Sequence, residues 1–197
     1  MKKNGSLVAL LFLAITIFAQ KSQNPEGLFP GAKAPDFKAN DQNGNEIRLK
    51  ELLKKGPVVV VFYRGYWCPF CNKELKRLED SLQLITAKGA TLIAITPEAS
   101  ENIDSTVNKT GAEFSILHDT DLKIMKAYNV SFEVPENTVT RYRNAGLDFT
   151  KLNGENGANL PVPAVYIINK QSDVIWRYFE TDYKKRPSVL AILDNIK

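Results

Sequence analysis

"PVVVVFYRGYWCPFCNKEL", residues Pro57 to Leu75, decides the fold of this 197-residue chain. Pro57 to Tyr63 are mostly β-branched and aromatic without polar alternation, the pattern of a strand buried on both faces of a sheet. A loop follows at once and carries the chain's two cysteines, Cys68 and Cys71. Pro69 is expected at the first helical position, where its missing N–H would have had no partner anyway. Both sulfurs then stand at a helix N-terminus, where free amides and the helix dipole stabilise a thiolate. The thiolate is the species that reacts in disulfide exchange and in peroxide reduction, and a second thiol three residues on resolves the mixed disulfide or sulfenic acid.

Two other uses of the pair fit worse. A structural zinc site needs four ligands. This chain offers one histidine, His118, and no second cysteine pair. A staple that closes only two intervening residues removes little chain entropy, because the gain grows with loop length. No metal and no organic cofactor are therefore expected. His118 reads as a hydrogen-bonded loop residue at the end of a strand, and Asp119 as a turn or cap residue.

The rest of the chain supplies a sheet around that strand. "GAKAPDFKANDQNGNEIRL" reads as a hairpin about Asn43-Gly44, a strong turn signal. "ELLKK" is a helical turn. Leu75, Leu78, Leu82 and Ile85 recur at helical spacing up to a stop at Gly89. "TLIAIT" (Thr91 to Thr96) is the next buried strand. Ser100 is placed to cap a helix carrying Ile103 and Val107, ending at Gly111. "FSIL" is a short strand, and Thr120 is placed to start a helix through Tyr128. Residues 136–160 are polar and weakly patterned. "PAVYIIN" and "VIWRYF" give two more strands around a turn at Gln171 to Asp173, and Val189, Ile192, Leu193 and Ile196 line one face of a last helix. Strands alternating with helices predict an α/β fold, a central mixed sheet flanked by helices, with an N-terminal hairpin extension.

Composition narrows the function classes. Hydrophobic residues make up 44% and aromatics 10%, which is ordinary for one folded domain. Twenty-six basic side chains face 22 acidic ones, and no basic stripe with interleaved aromatics occurs, so nucleic acid is not an expected partner. The run Lys184-Lys185-Arg186 reads as a solvated loop. At the N-terminus, Lys2 and Lys3 precede the apolar run Leu7 to Phe18, and Ala19 is small enough for cleavage, although Ile17 is bulky for the position three residues before the cut. The run is short for a membrane span and has the length of a signal-peptide core. Residues 1–19 are read as a signal peptide, and 20–197 as an exported, periplasmic or secreted domain with no stable membrane insertion.

These stretches together resemble the peroxiredoxin-like proteins of the alkyl hydroperoxide reductase/thiol-specific antioxidant family, in the thioredoxin superfamily. "GAKAPDF", "NGNEIRLKELLKKGPVVVVFY", "SILHDTDLKIMKAYNV" and "LPVPAVYIINKQSDVIWRYF" carry the likeness, which runs from about Gly31 onward. It implies a thioredoxin fold and a thiol-dependent peroxidase that reduces peroxides through a Cys68–Cys71 cycle. Its reductant would be a thiol donor such as a thioredoxin-like protein. It also implies a cis proline before the last core strand pair, which makes Pro163 the candidate, with Val162 presenting its backbone to a bound partner. Trp67 and Pro69 would support the site.

The departures from the family are equally specific. Peroxiredoxins carry P-x-x-x-T-x-x-C. Laid on "RGYWCPFC" without gaps, Arg64 takes the proline position, Cys68 the threonine position and Cys71 the peroxidatic position. The activating arginine is expected where this chain has Pro163 and Ala164, so Arg64 and Arg177 are the candidates to replace it. "WCPFC" instead resembles thioredoxin, in which the first cysteine attacks. Peroxidase and protein thiol–disulfide oxidoreductase both stay open; the breadth of the resemblance favours an antioxidant thiol oxidoreductase of peroxiredoxin type, with protein disulfide exchange as the alternative and a non-catalytic binding domain as a third class. Position before the helix favours Cys68 as the nucleophile, on the expectation that it is better exposed than Cys71.

Overall fold

The structure is a computed structural model and describes residues 24–197. The signal segment read at residues 1–19 lies outside the described residues.

The strand of the decisive stretch, β3 (Val58–Phe62), is the middle of a five-stranded sheet. On one side it pairs in parallel with β4 (Thr91–Thr96), which pairs in parallel with β5 (Ser115–His118). On the other it pairs antiparallel with β8 (Ala164–Ile168), which pairs antiparallel with β9 (Val174–Phe179). All five residues of β3 are buried, and alternate side chains divide between two cores. Val58, Val60 and Phe62 pack with Tyr128, Tyr166 and Leu53 on one face. Val59, Val61 and Tyr63 pack with Leu75, Ile103 and Ile192 on the other. The expected mixed α/β sheet is the observed one.

The hairpin forms as read, with β1 (Lys38–Asn40) against β2 (Glu46–Arg48) and Gly44 at φ +80 in the turn. Helix α1 (Leu49–Lys55) follows. The long helix expected from Leu75 to Ile85 is broken into α2 (Pro69–Glu79) and α3 (Leu82–Ala87). Ser81 leaves the helical region at φ −112, ψ 8. Asp80 and Ser81 are residues whose side chains compete for backbone groups and weaken helix interiors. Helix α4 (Ser100–Thr110) begins with Ser100 as its first residue, and Gly111 closes it at φ +73. Helix α5 (Lys123–Ala127) comes later than expected. A short 3-10 turn precedes it, and the Asp119 carboxylate, rather than Thr120, accepts from the Ile124 and Met125 amides.

The weakly patterned stretch does fold. Strand β6 (Ser131–Glu133) pairs with β7 (Asn159–Pro161), and between them lie α6 (Glu136–Asn144) and α7 (Phe149–Asn153). They enclose a satellite core of Val134, Val139, Phe149, Leu152 and Leu160, with Tyr66 and Trp67 of the cysteine loop packed against it. The chain ends with α8 (Val189–Leu193). No helix among the described residues is long and apolar enough to cross a membrane.

Candidate active site

The cysteine loop leaves β3 at Tyr63 and turns through Gly65 at φ +146, a conformation open to glycine. A Cβ there would lie 2.6 Å from Trp67 Nε1 and 2.9 Å from Glu98 Oε1. Glu98 is wholly buried and anchors the turn. Its Oε1 accepts the Tyr66 amide at 2.7 Å, and its Oε2 accepts from the Tyr63 and Thr106 hydroxyls at 3.0 and 3.2 Å. Burial raises its pKa to about 7 against those hydrogen bonds. On the other side of the loop, Trp67 meets Tyr142 and Phe149 edge-on, so the satellite core forms the wall of the turn.

Cys68 is the N-cap of α2, Pro69 is the first helical residue, and the Cys71 amide donates to Cys68 Sγ at 3.3 Å. Both cysteines are free thiols. The two sulfurs are unequal. A hydrogen bond from the Cys71 thiol, aided by the Cys71 amide and the Arg64 and Arg186 charges, brings Cys68 down to about 7 despite burial. Burial and the neighbouring Cys68 push the Cys71 thiol well up. Cys68 is the better exposed of the two, as expected, but only by a small margin, since it is 2% exposed and Cys71 0%. The loop between β9 and α8 closes over the helix start, with Tyr183 edge-on to Phe70 and the Arg64 guanidinium 4.6 Å from the Tyr183 ring.

Two residues at this site were not singled out from the sequence. Glu74, one turn after Cys71, is 3% exposed. Burial, reinforced by Cys71 and opposed by Arg186, raises its pKa to about 7. Arg186, read as part of a solvated loop, has a side chain only 5% exposed and forms an ion pair with Glu74. Its Nη2 also donates to Cys71 Sγ at 3.3 Å, while Nη1 donates to the Tyr183 and Lys185 carbonyls. Lys184 and Lys185 are exposed, as read. The signal for Glu74 was its place on the same helical face as Cys71, Leu75 and Leu78, where an acid is buried and calls for a cation.

Of the candidate arginines, Arg64 lies at the site: it is buried, stacks 5.1 Å from the Trp67 ring, and donates to the Tyr142 hydroxyl at 3.1 Å. Arg177 does not. It stacks on Phe29 and donates to the Glu26 and Leu28 carbonyls, fixing the N-terminal segment. Pro163 is buried just before β8, one residue beyond the Phe62–Ala164 pair, beside the end of β3 where the cysteine loop begins. The expected cis bond is absent, since no described peptide bond is cis. The extended pairing on both sides accounts for this. The Val162 amide donates to the Val130 carbonyl at 2.8 Å, continuing the β6–β7 ladder, and Ala164 already sits in β8, so Pro163 links two extended, paired segments. Val162 lines a cleft of about 880 Å³ with Phe132, Pro135 and Thr181. His118 Nδ1 donates to the Glu98 carbonyl at 2.5 Å, a hydrogen-bonded strand end as expected. Among the described residues no group of three or more His, Cys, Asp and Glu could hold a metal ion.

Residues 30–177 match the model of the AhpC/TSA family. The thiol-disulfide oxidoreductase ResA of Bacillus subtilis (strain 168) is 29% identical over 126 residues, covering 64% of this chain and 69% of that protein. The crystal structure of peroxidoxin BcpB from Mycobacterium tuberculosis superposes with a TM-score of 0.62 at 20% identity, over 76% of this chain and 84% of that one. The reduced 2-Cys peroxiredoxin of Plasmodium vivax gives 0.63 at 18% identity, over 85% and 93%. The two crystal structures are likenesses of fold.

Proposed function

The chain belongs to the AhpC/TSA family, within the thioredoxin superfamily, and is a thiol oxidoreductase enzyme; from that premise we propose that its main reaction is thiol–disulfide exchange, with Cys68 as nucleophile and Cys71 as resolving thiol. The observation that carries this reading is the inequality of the two sulfurs: one capped by an amide and ionising near neutrality, the other fully buried and held protonated. The Cys68 thiolate attacks a substrate disulfide, forms a mixed disulfide, and the displaced sulfur leaves as a thiolate that takes up a proton. Cys71 then gives its proton to Glu74, whose buried Oε1 has no hydrogen-bond partner. The Cys71 sulfur displaces the second substrate thiolate and closes the Cys68–Cys71 disulfide. A thiol donor of thioredoxin type returns both electrons. The trans bond at Pro163 withdraws one support from a thioredoxin-type arrangement, and the cysteine geometry carries the reading without it.

The family resemblance puts peroxide reduction first, and a specific observation keeps it as a second reading. The buried Arg64 charge acts on Cys68, as an arginine that polarises a peroxide would. In that case the Cys68 thiolate attacks the O–O bond, alcohol or water leaves, and Cys71 condenses with the sulfenic acid to release water. Cys71 in the peroxidatic role fits poorly, because a buried sulfur with a raised pKa is a poor nucleophile. The reduced protein, assayed in parallel for insulin-disulfide reduction and peroxide consumption, is expected to favour the disulfide. Fast peroxide turnover with negligible insulin reduction would reverse the order.

Export and the division at residue 20 form part of the same proposal. They rest on Lys2-Lys3, the apolar run Leu7 to Phe18 and Ala19, together with a dithiol chemistry suited to an oxidising compartment. The mature protein is expected to begin near Gln20. Its intact mass tests this, and a chain retaining Met1 would contradict it.

A further inference from the structure

Arg186 is a buried cation on a loop, with its guanidinium divided between two partners on one face of α2. We propose that Arg186 is the positioning residue of the resolving step: one guanidinium holds Cys71 and Glu74 together, so that the thiol and the carboxylate that takes its proton stay in register. This rests on the assignment of Cys71 as the resolving thiol.

The geometry is specific. Nε serves Glu74 Oε2, Nη2 serves Cys71 Sγ at 3.3 Å, and Nη1 is tied to the backbone of its own loop through the Tyr183 and Lys185 carbonyls. A planar fork can serve three partners at fixed angles; a lysine ammonium is a point charge on a flexible stem. Glu74 Oε2 is thereby occupied and Oε1 left open. The remaining charged or titratable groups acting on the pair are Cys68 and the Arg64 amide on Cys71, and Arg77 on Glu74. The charges of Arg186 and Glu74 also act on Tyr178 of β9. Arg186 acts on Cys68 too, but behind the Cys71 thiol, the Cys71 amide and Arg64. Because the guanidinium hydrogen-bonds Cys71 Sγ directly and reaches Cys68 only through its charge, the second chemical step depends on Arg186 more than the first.

An aromatic disulfide such as 4,4′-dithiodipyridine separates the steps. Attack by Cys68 releases one thiopyridone and leaves a mixed disulfide; attack by Cys71 releases the other and closes the intramolecular disulfide. In stopped flow at pH 7, Arg186→Gln should leave the first release within about threefold and slow the second by about tenfold or more, since an adjacent opposite charge moves a pKa by roughly 1–3 units. The pH midpoint of the second release should rise, and Arg186→Lys should restore part of its rate. If Arg186→Gln does not fold, the Glu74→Gln/Arg186→Gln double variant removes both charges and leaves no unpaired ion. Its second release should be slower than that of Glu74→Gln, which lacks the proton acceptor alone. Equal slowing of both releases in Arg186→Lys and the double variant, or an unchanged second release, would overturn the role of Arg186. Cys71→Ala distinguishes failure of the underlying assignment: it should abolish the second release while the first persists at a reduced rate, and loss of the first would instead make Cys71 the attacking sulfur.

Discussion

Removing the Cys71 thiol should change the acidity of Cys68 more than any other single substitution at the site. The hydrogen bond from that thiol is the largest influence lowering Cys68 from an ordinary 9.0 to about 7. In Cys71→Ala the amide bond to Sγ remains, burial still opposes ionisation, and the pKa should return close to 9. The thiolate fraction at pH 7 then falls from about a half to about a hundredth, roughly fiftyfold. A more basic thiolate is intrinsically more reactive, with a Brønsted coefficient of about 0.4–0.5, which returns roughly eightfold. The net expectation is a rate about sixfold lower at pH 7. Above about pH 8.2, where the variant's thiolate fraction passes roughly one eighth, the order should invert, with the variant faster. The assay is the first thiopyridone release from 4,4′-dithiodipyridine, followed from pH 5 to 10 in both proteins. A variant midpoint still near 7 would refute the claim that the Cys71 thiol holds the Cys68 thiolate, and would assign the effect to the helix start and the arginines.

Other consequences concern the scaffold. Gly65→Ala should disturb the cysteine loop, because its Cβ would meet Trp67 and Glu98 at 2.6 and 2.9 Å in a backbone conformation of φ +146; a loss of about 2 kcal/mol, or roughly 4–8 °C in Tm by calorimetry, is expected together with slower Cys68 labelling. Glu98 is raised from 4.5 to about 7 by burial, so the folded protein retains a proton that the unfolded chain has lost. Unfolding therefore releases protons between pH 4.5 and 7, and stability should fall across that window as pH rises, by up to about 3 kcal/mol from this residue. Glu74 acts in the same direction, so urea titrations of Glu98→Gln should retain part of the slope, and an unchanged slope would contradict the burial of Glu98 as a titrating acid. Glu74→Gln alone should destabilise the fold by about 3–5 kcal/mol, because Arg186 would be left buried without its counter-ion.

The strand, the helix start and the closing strand pair were legible because each satisfies a local rule: an unbroken β-branched run, a proline at the first helical position, and two β-rich runs about a turn. Residues 136–160 were not. Their apolar side chains are few and spread over two short helices, and the small core they form with Val134 is completed by Tyr66 and Trp67 of a distant loop. The break between α2 and α3 was hidden because Leu75, Leu78 and Ile85 keep a common buried face across it. Arg186 was hidden for a different reason. In sequence it is the last of three basic residues after Tyr183, and its neighbours are solvated; only the closure of that loop over α2 separates it from them. Arg177 shows the converse, a candidate for the activating arginine whose side chain serves the N-terminal segment instead.

The division of labour between the two sulfurs is tested most directly by trapping. Reduced Cys71→Ser and Cys68→Ser proteins, each incubated with a disulfide-bonded protein substrate and analysed by non-reducing gel and mass spectrometry, should differ absolutely in the early time points. Cys71→Ser should accumulate a mixed disulfide at Cys68 that a dithiol releases, and Cys68→Ser should accumulate none. A stable adduct at Cys71 in Cys68→Ser, with none at Cys68 in Cys71→Ser, would contradict the assignment and make Cys71 the attacking cysteine.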